Sequence, residues 1–252
     1  MFWKKWFGKK EETVKERANL GALFTDIHSH LLPGIDDGAK DPQESIELIK
    51  GLVQLGYKKF ITTPHIMWDY YKNDINTISE AYERLKSELE KYPELAELKI
   101  EFAAEYMTDY YFEKIIDKEE KLLTFGDNYV LFELPFNAAP LNLESVIFKL
   151  QTQRYKPVLA HPERYLFWYE NQEKYQDLKD RGVFFQLNLN SLTGQYAPEA
   201  KKTAEWMIEN KMIDFLGSDC HHNRHVQSFN SLLHNKHLHD LLAQPQLLNT
   251  KL

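Results

Sequence analysis

The chain has 252 residues, 43% of them hydrophobic and 27% charged, with 10 Gly and 10 Pro. That is an ordinary globular mixture, which excludes a fibrous or wholly disordered polymer and suffices for one large domain or two small ones. Its 31 Lys and Arg against 38 Asp and Glu leave a formal net charge of -7, which argues against a general affinity for nucleic acid or anionic membrane. The single cysteine, Cys220, excludes an internal disulfide or a cysteine-rich zinc site and fits a reducing, cytoplasmic compartment. No uncharged apolar stretch approaches the roughly 18–20 residues needed to span a bilayer, so no transmembrane segment is expected.

Residues 1–22 read as a basic and aromatic tail, in which Trp3, Trp6 and Phe7 alternate with Lys4, Lys5, Lys9 and Lys10. The lysine-interrupted run is a poor secretory signal. It suits a weak peripheral membrane or partner contact as well as a terminus packed loosely on its domain. From residue 23 onward one pattern repeats to 252. Short β-rich runs occupy 24–30, 58–65, 98–106, 129–135, 156–164, 183–190 and 213–222, with the β-branched and aromatic residues that strands favour. Between them, 42–56, 75–92, 142–155, 171–182 and 198–211 show helical spacing. In the first, Ile46, Ile49, Leu52 and Val53 share a face, Asp41 is placed to cap, Pro42 opens the first turn and Gly56 marks the exit. Strands alternating with helices predict βαβ units and a parallel sheet, and seven of them without a linker predict one closed α/β barrel.

In such barrels the functional groups sit at the carboxyl ends of the strands. Here those ends carry His28 and His30, His65, Glu105, Glu133, His161, and Asp219 with His221, while Asp37 follows in the first loop. Residues two apart on a strand face one side, so H-x-H and D-x-H each aim two groups at one point. A lone H-x-H is weak; repeated over successive strand ends it predicts a metal centre, because unpaired buried charges are costly without a cation. Five imidazoles and four carboxylates without sulfur suit Mn, Fe or Zn.

The segments D-I-H-S-H-L-L-P-G-I-D-D-G (26–38), T-P-H (63–65), A-E-Y (104–106), F-E-L (132–134), A-H-P-E-R-Y (160–165) and S-D-C-H (218–221) resemble the PHP family, named for polymerase and histidinol phosphatase. More narrowly they resemble its bacterial tyrosine phosphatases encoded with capsular and exopolysaccharide genes. The likeness runs in order from about residue 24 to 240. It implies a distorted (β/α)7, TIM-like barrel in one domain with three divalent metal ions, manganese foremost and iron or zinc as alternatives. It implies that His28, His30, Asp37, His65, Glu105, Glu133, His161, Asp219 and His221 are the ligands, and that Arg164 binds phosphate. Arg224 matches a second phosphate-binding arginine, in a loop shorter than the family pattern. The implied partner is a phosphotyrosine protein, the tail of a bacterial tyrosine kinase that regulates polysaccharide synthesis. Self-association is also in keeping with the family.

The expected reaction is attack of a metal-held hydroxide on phosphorus, a divalent ion lowering the pKa of water from about 15.7 towards 7. A phenol with a pKa near 10 leaves with little help from an acid, and none is obvious beyond the nearby His222 and His225. Trp68, Tyr70, Tyr71, Phe136 and Tyr165 are candidates to line a pocket for a phenyl ring, or equally to anchor loops. Cysteine-dependent chemistry needs Arg six positions after the nucleophile; position 226 is Val, and Cys220 reads as structural. Three alternatives keep the barrel: a phosphoesterase for a small phosphomonoester such as histidinol phosphate, a phosphodiesterase, and an inactive metal-binding partner module.

Overall fold

The computed structural model describes residues 14–169 and 171–252; most of the basic and aromatic tail, 1–13, lies outside the described residues. The strands are β1 (Thr25–Asp26), β2 (Lys59–Thr62), β3 (His65–Ile66), β4 (Lys99–Phe102), β5 (Glu105–Met107), β6 (Tyr129–Glu133), β7 (Lys156–Ala160), β8 (Phe184–Asn188) and β9 (Phe215–Gly217). All of their ladders are parallel. One sheet runs β1-β2-β4 and the other β3-β5-β6-β7-β8-β9.

The pairs β2/β3 and β4/β5 are each one expected strand with a break. The first break falls at Thr63 and Pro64, where proline has no N–H for the ladder; the second falls at Ala103 and Ala104. Backbone bonds from Ala103 to Thr62 and from Glu105 to Pro64 carry the pairing across both. β1 in turn continues upward to a bridge between Ser29 and Cys220, where His30 N–H donates to Cys220 O and Asp219 N–H donates to His28 O. The seven strand runs therefore curl into a ring, the α/β barrel that the strand–helix alternation predicts, in the distorted (β/α)7 form that the family resemblance implies.

Lower down, β1 and β9 are joined by side chains instead of a ladder. The Asn249 amide donates to Thr25 O and Leu216 O and accepts from Leu216 N–H. The Asp26 carboxylate accepts from the backbone and hydroxyl of Ser218, and burial raises its pKa to about 6 against those hydrogen bonds.

The helices are α1 (Pro42–Gln54), α2 (Ile75–Leu89), α3 (Tyr110–Asp117), α4 (Leu143–Thr152), α5 (Gln172–Asp180), α6 (Pro198–Glu209), α7 (Asn223–Leu232) and α8 (Lys236–Leu242). α1 begins where expected, the Asp41 side chain accepting from Glu44 N–H. Its Ile46, Ile49 and Leu52 are fully buried, each such side chain contributing about 1.5–3 kcal/mol. α3, α7 and α8 have no counterpart among the helical segments expected from the sequence; α3, eight residues opening on Tyr-Tyr-Phe, gives too short and aromatic a pattern.

Two cores result. The larger lies between strands and helices. The smaller fills the lumen with Ile27, Ile61, Ala103, Phe125, Leu131, Val158, Ala160 and Phe215. Ahead of β1, Val14 and Ala18 donate to His234 O and Leu233 O, and Leu20 is buried in the larger core. Among the described residues no helix is long and apolar enough to cross a membrane.

Candidate active site

Just above the apolar lumen, the strand ends place ionisable side chains face to face. His65 and Glu105 are Cα partners in the β3–β5 ladder, and His65 Nδ1 lies 3.1 Å from Glu105 Oε2 and 3.1 Å from Glu133 Oε1. His28 Nε2 lies 3.2 Å from Glu105 and 3.4 Å from Asp219. His30 Nε2 is 3.3 Å from Asp219 Oδ1, and His161 Nε2 is 3.0 Å from Glu105 Oε1. Asp37 joins from its loop, one oxygen 3.5 Å from His65 Nε2 and 3.5 Å from His221 Nε2. All nine candidate ligands therefore converge.

Their fit to cations rests on unmatched atoms. His65 Nδ1, Glu105 Oε2 and Glu133 Oε1 are buried without a hydrogen-bond partner, an arrangement that costs about 1–3 kcal/mol per group. Separations near 3.1 Å suit two ligands that each stand about 2.1 Å from a shared ion. Among the described residues, three overlapping sets hold their donor atoms within 4.8 Å: His30, Asp37, His65 and His221; His28, His30 and Glu105; and His65, Glu105 and Glu133. The residues fit divalent cations held by nitrogen and oxygen.

The electrostatics show how tightly the groups are coupled. Burial works against the ionised forms of Glu105 and Asp219, yet the facing imidazoles hold both carboxylates well below their usual range. Burial likewise opposes a charged ring at His30 and His65, and the surrounding carboxylates push both well above the ordinary imidazole value. His161 moves down, through burial and the neighbouring Arg164 charge.

A supporting layer orients these rings. His30 Nδ1 donates to Asp36 at 2.8 Å, and the same carboxylate accepts from His65 N–H and Gly38 N–H. His28 Nδ1 donates to Gln186 Oε1 at 2.7 Å. Engaging Nδ1 turns Nε2 towards the centre, as ligand-supporting hydrogen bonds do. Two glycines make the closeness of these elements feasible: a Cβ on Gly38 would stand 2.1 Å from His30 O, and one on Gly217 would stand 2.6 Å from His28 Cβ. His161 and Asp219 both adopt left-handed backbone, with φ of 37° and 48°. For residues other than glycine this stores about 1–3 kcal/mol of strain, a feature of functional positions. Local bending, rather than the strand alternation expected from D-x-H, thus aims Asp219.

Arg164 overhangs the centre, its Nη1 donating to Asp219 Oδ2 at 3.2 Å. The guanidinium lies 4.0 Å from the Tyr196 ring centre and 4.7 Å from that of Phe136. Beneath it Glu163, fully buried, accepts from Asn188 N–H at 3.1 Å and Ser191 Oγ at 2.6 Å; burial raises its pKa to about 7 against the Ser191 bond. The Asn188 amide donates to Asp219. Above the cluster opens a cleft of about 340 Å³ whose walls include Tyr71, Phe136 and Tyr196. Tyr71 lies parallel to His65 at 5.5 Å, and Phe136 stacks on His161 at 5.8 Å.

The family model for capsular polysaccharide synthesis, CpsB/CapC, matches residues 24–231. The chain belongs to the CpsB/CapC family. Tyrosine-protein phosphatase YwqE of Bacillus subtilis is 34% identical over 206 residues, covering 80% of each chain. Tyrosine-protein phosphatase CpsB of Streptococcus pneumoniae is 26% identical over 203 residues, covering 78% of this chain and 82% of the relative. In three dimensions, a crystal structure from work on YwqE of Bacillus subtilis and CpsB of Streptococcus pneumoniae, described as unique metal-dependent tyrosine phosphatases, matches with a TM-score of 0.72. Its identity is 31%, over 87% of this chain and 95% of that one.

In this CpsB/CapC chain the structure sorts the remaining candidates. Arg224 does not join Arg164: it is exposed on the first turn of α7, outside the cleft wall. α7 starts directly after His222, so His222 and His225, three positions apart, share the cleft side and Arg224 is rotated away by about 100° from His225. Of the five aromatic candidates, Tyr71 and Phe136 line the cleft. Tyr165 is fully buried, its hydroxyl accepting from Leu134 N–H and donating to Ala160 O. Trp68 and Tyr70 are exposed beyond the wall. Cys220 is buried in the larger core, where burial pushes its thiol well up, a structural residue. Asp36, Gln186, Glu163 and Tyr196 escaped the sequence reading. Asp36 had a signal in the D-D-G run; a glutamine inside a strand and a lone loop tyrosine had none.

Proposed function

We propose that this chain is a metal-dependent protein-tyrosine phosphatase, acting in the cytoplasm on the phosphorylated tail of a bacterial tyrosine kinase that regulates capsular or exopolysaccharide synthesis. The observation that carries the reading is the trio of buried, unmatched donors on His65, Glu105 and Glu133, on the floor of a cleft overhung by Arg164. The relatives named as tyrosine phosphatases support it.

His28, His30, Asp37, His65, Glu105, Glu133, His161, Asp219 and His221 hold three divalent ions, manganese in first place. When bound, these ions supply a nucleophile from water near neutral pH and positive charge for the phosphoryl oxygens. The protein's own part is positioning, which carries most of phosphoryl-transfer catalysis. Arg164 takes the phosphoryl oxygens that face away from the cluster; Phe136 and Tyr196 keep its guanidinium from swinging, and Asp219 fixes its edge. Tyr71 and Phe136 flank the space above the cluster, where a phenyl ring stacks. A phenol with a pKa near 10 departs as phenolate, so no dedicated acid is required.

The test is elemental analysis of the purified protein, paired on the same sample with turnover of a phosphotyrosyl peptide and of histidinol phosphate. Bound manganese or a related divalent ion with preference for the peptide is expected. Preference for histidinol phosphate, or full activity after exhaustive chelation, would overturn the reading.

A further inference from the structure

Beside the cleft a short turn carries aromatic side chains outward. Met67 and Tyr71 form an antiparallel bridge, with Met67 N–H donating to Tyr71 O at 2.9 Å and Tyr71 N–H to Met67 O at 2.8 Å. Both bridge residues line the cleft, and Tyr71 is the ring parallel to His65. The three residues between them form the tip, on which Trp68 is 45% and Tyr70 is 77% exposed. Tyr110, the first residue of α3, adds a third ring, 76% exposed.

This tip is braced. Trp68 N–H donates to Asp109 Oδ2 at 2.8 Å, and the other oxygen of that carboxylate caps α3 through Phe112 N–H. The Trp68 ring stacks on Tyr111 at 5.0 Å, and the Lys72 ammonium lies 5.0 Å from its ring centre. One carboxylate thus ties the turn that carries Trp68 to the first turn of α3, where Tyr110 stands. Large exposed rings grouped at a cleft mark a contact site rather than ordinary surface. Tyr and Trp are the residue types that anchor interfaces, and rings fixed beforehand lose little entropy on binding. Nothing about a small phosphomonoester requires them, because such a substrate ends at the cleft wall. A polypeptide does not end there. An extended chain advances about 3.3 Å per residue, so residues next to a seated phosphotyrosine pass directly over a tip whose two ends are cleft wall.

We propose that the Trp68–Tyr70 turn, with Tyr110, is a docking surface for the polypeptide flanking the phosphotyrosine, bound extended and through apolar or aromatic side chains adjacent to it. The inference rests on the phosphatase reading above and adds how the polypeptide part of the substrate is recognised: by an aromatic tip beside the cleft that meets the residues flanking the phosphotyrosine. The surface selects among substrates and takes no part in the chemical step.

The experiment compares the metal-loaded, full-length protein with Tyr70→Ala and with Trp68→Ala/Tyr70→Ala. Each is assayed on p-nitrophenyl phosphate, on a phosphotyrosyl peptide with aromatic neighbours, and on the same peptide with serine neighbours. The double variant should lose about tenfold in kcat/KM on the aromatic peptide, mostly through KM. It should stay within about twofold on p-nitrophenyl phosphate, which depends on the cleft alone. The unsubstituted protein should favour the aromatic peptide over the serine peptide, and Tyr70→Ala, which leaves the Trp68 brace in place, should lose part of that preference. Equal losses on peptide and p-nitrophenyl phosphate, or an unchanged KM for the aromatic peptide, would overturn the docking surface. Absence of turnover of all three substrates by the metal-loaded, unsubstituted protein would instead overturn the phosphatase reading.

Discussion

The lumen of this barrel has two layers of opposite chemistry, built by the same strands. Below lie Ile27, Ile61, Ala103, Leu131, Val158, Ala160 and Phe215; above lie His28, His30, His65, Glu105, Glu133, His161 and Asp219. The change takes one step of strand alternation: Ala103 and Glu105 share a face two residues apart, as do Leu131 and Glu133. Glu105 and Leu131 are even Cα partners in one ladder. The lower layer fills the lumen with apolar side chains that have no polar atoms to satisfy. The upper layer sets charge against charge and leaves donor atoms unmatched. Stability and chemistry are therefore separated by height along the barrel axis, a division that substitutions can probe.

The largest effect is expected at the upper layer. Glu105→Gln should lower phosphatase kcat/KM by about a thousandfold or more, because it removes a charge from two of the three donor sets. The rise in melting temperature that added manganese produces in the unsubstituted protein should shrink. Elemental analysis and thermal melts check both; a variant that binds manganese and is stabilised by it as the parent is would remove Glu105 from the metal site. In the lower layer Leu131→Ala should do the reverse. It should cost about 2–5 kcal/mol in denaturant unfolding and leave activity per folded molecule near that of the parent.

Smaller effects grade the ceiling of the cleft. Arg164→Ala should cost about a hundredfold in kcat/KM with metal content unchanged, since it deletes one preorganised donor to the phosphoryl group. Tyr196→Ala should cost about tenfold and weaken inhibition by inorganic phosphate. Tyr196→Phe should recover most of the loss, because the face over Arg164 is retained. Steady-state kinetics with phosphate inhibition distinguish the two; a phenylalanine variant as poor as alanine would move the role to the hydroxyl. Arg224→Ala should stay within about twofold, as exposed positions usually do. A loss comparable to that at Arg164 would show that α7 swings Arg224 into the cleft when substrate binds.

The upper layer was legible in the sequence because its residues terminate β-rich runs, so chemistry and secondary structure coincide at the same positions. Five helices were legible from caps and spacing, as at Asp41 and Ile46, whereas α3, α7 and α8 were not. What escaped depends on contacts between segments far apart in the chain. Gln186 looks like any polar residue in a strand until its partner, His28, is seen 158 positions away. Tyr196 acquires meaning only by lying on Arg164. The break after Thr62 is marked by Pro64, whereas the one after Phe102 belongs to the curvature of the closed ring, which no single strand encodes. The face of α7 depends on where that helix starts, and one residue decides whether Arg224 or His225 meets the cleft.

The stitching of β1 to β9 bears on how the protein is made. Asn249 reaches Thr25 across 224 positions, and Ser218 reaches Asp26 across 192. On a ribosome the first strand therefore waits for nearly all of the remaining chain before its second neighbour arrives. His28 and His30 stand on one side of that seam, Asp219 and His221 on the other. The cluster is then a late product of synthesis, absent from any nascent chain that has yet to reach Asp219. Contacts of such long range also slow folding. A chain stalled or trimmed before residue 219 carries seven of the nine candidate ligands and lacks Asp219 and His221, the two that meet His28 and His30 across the seam.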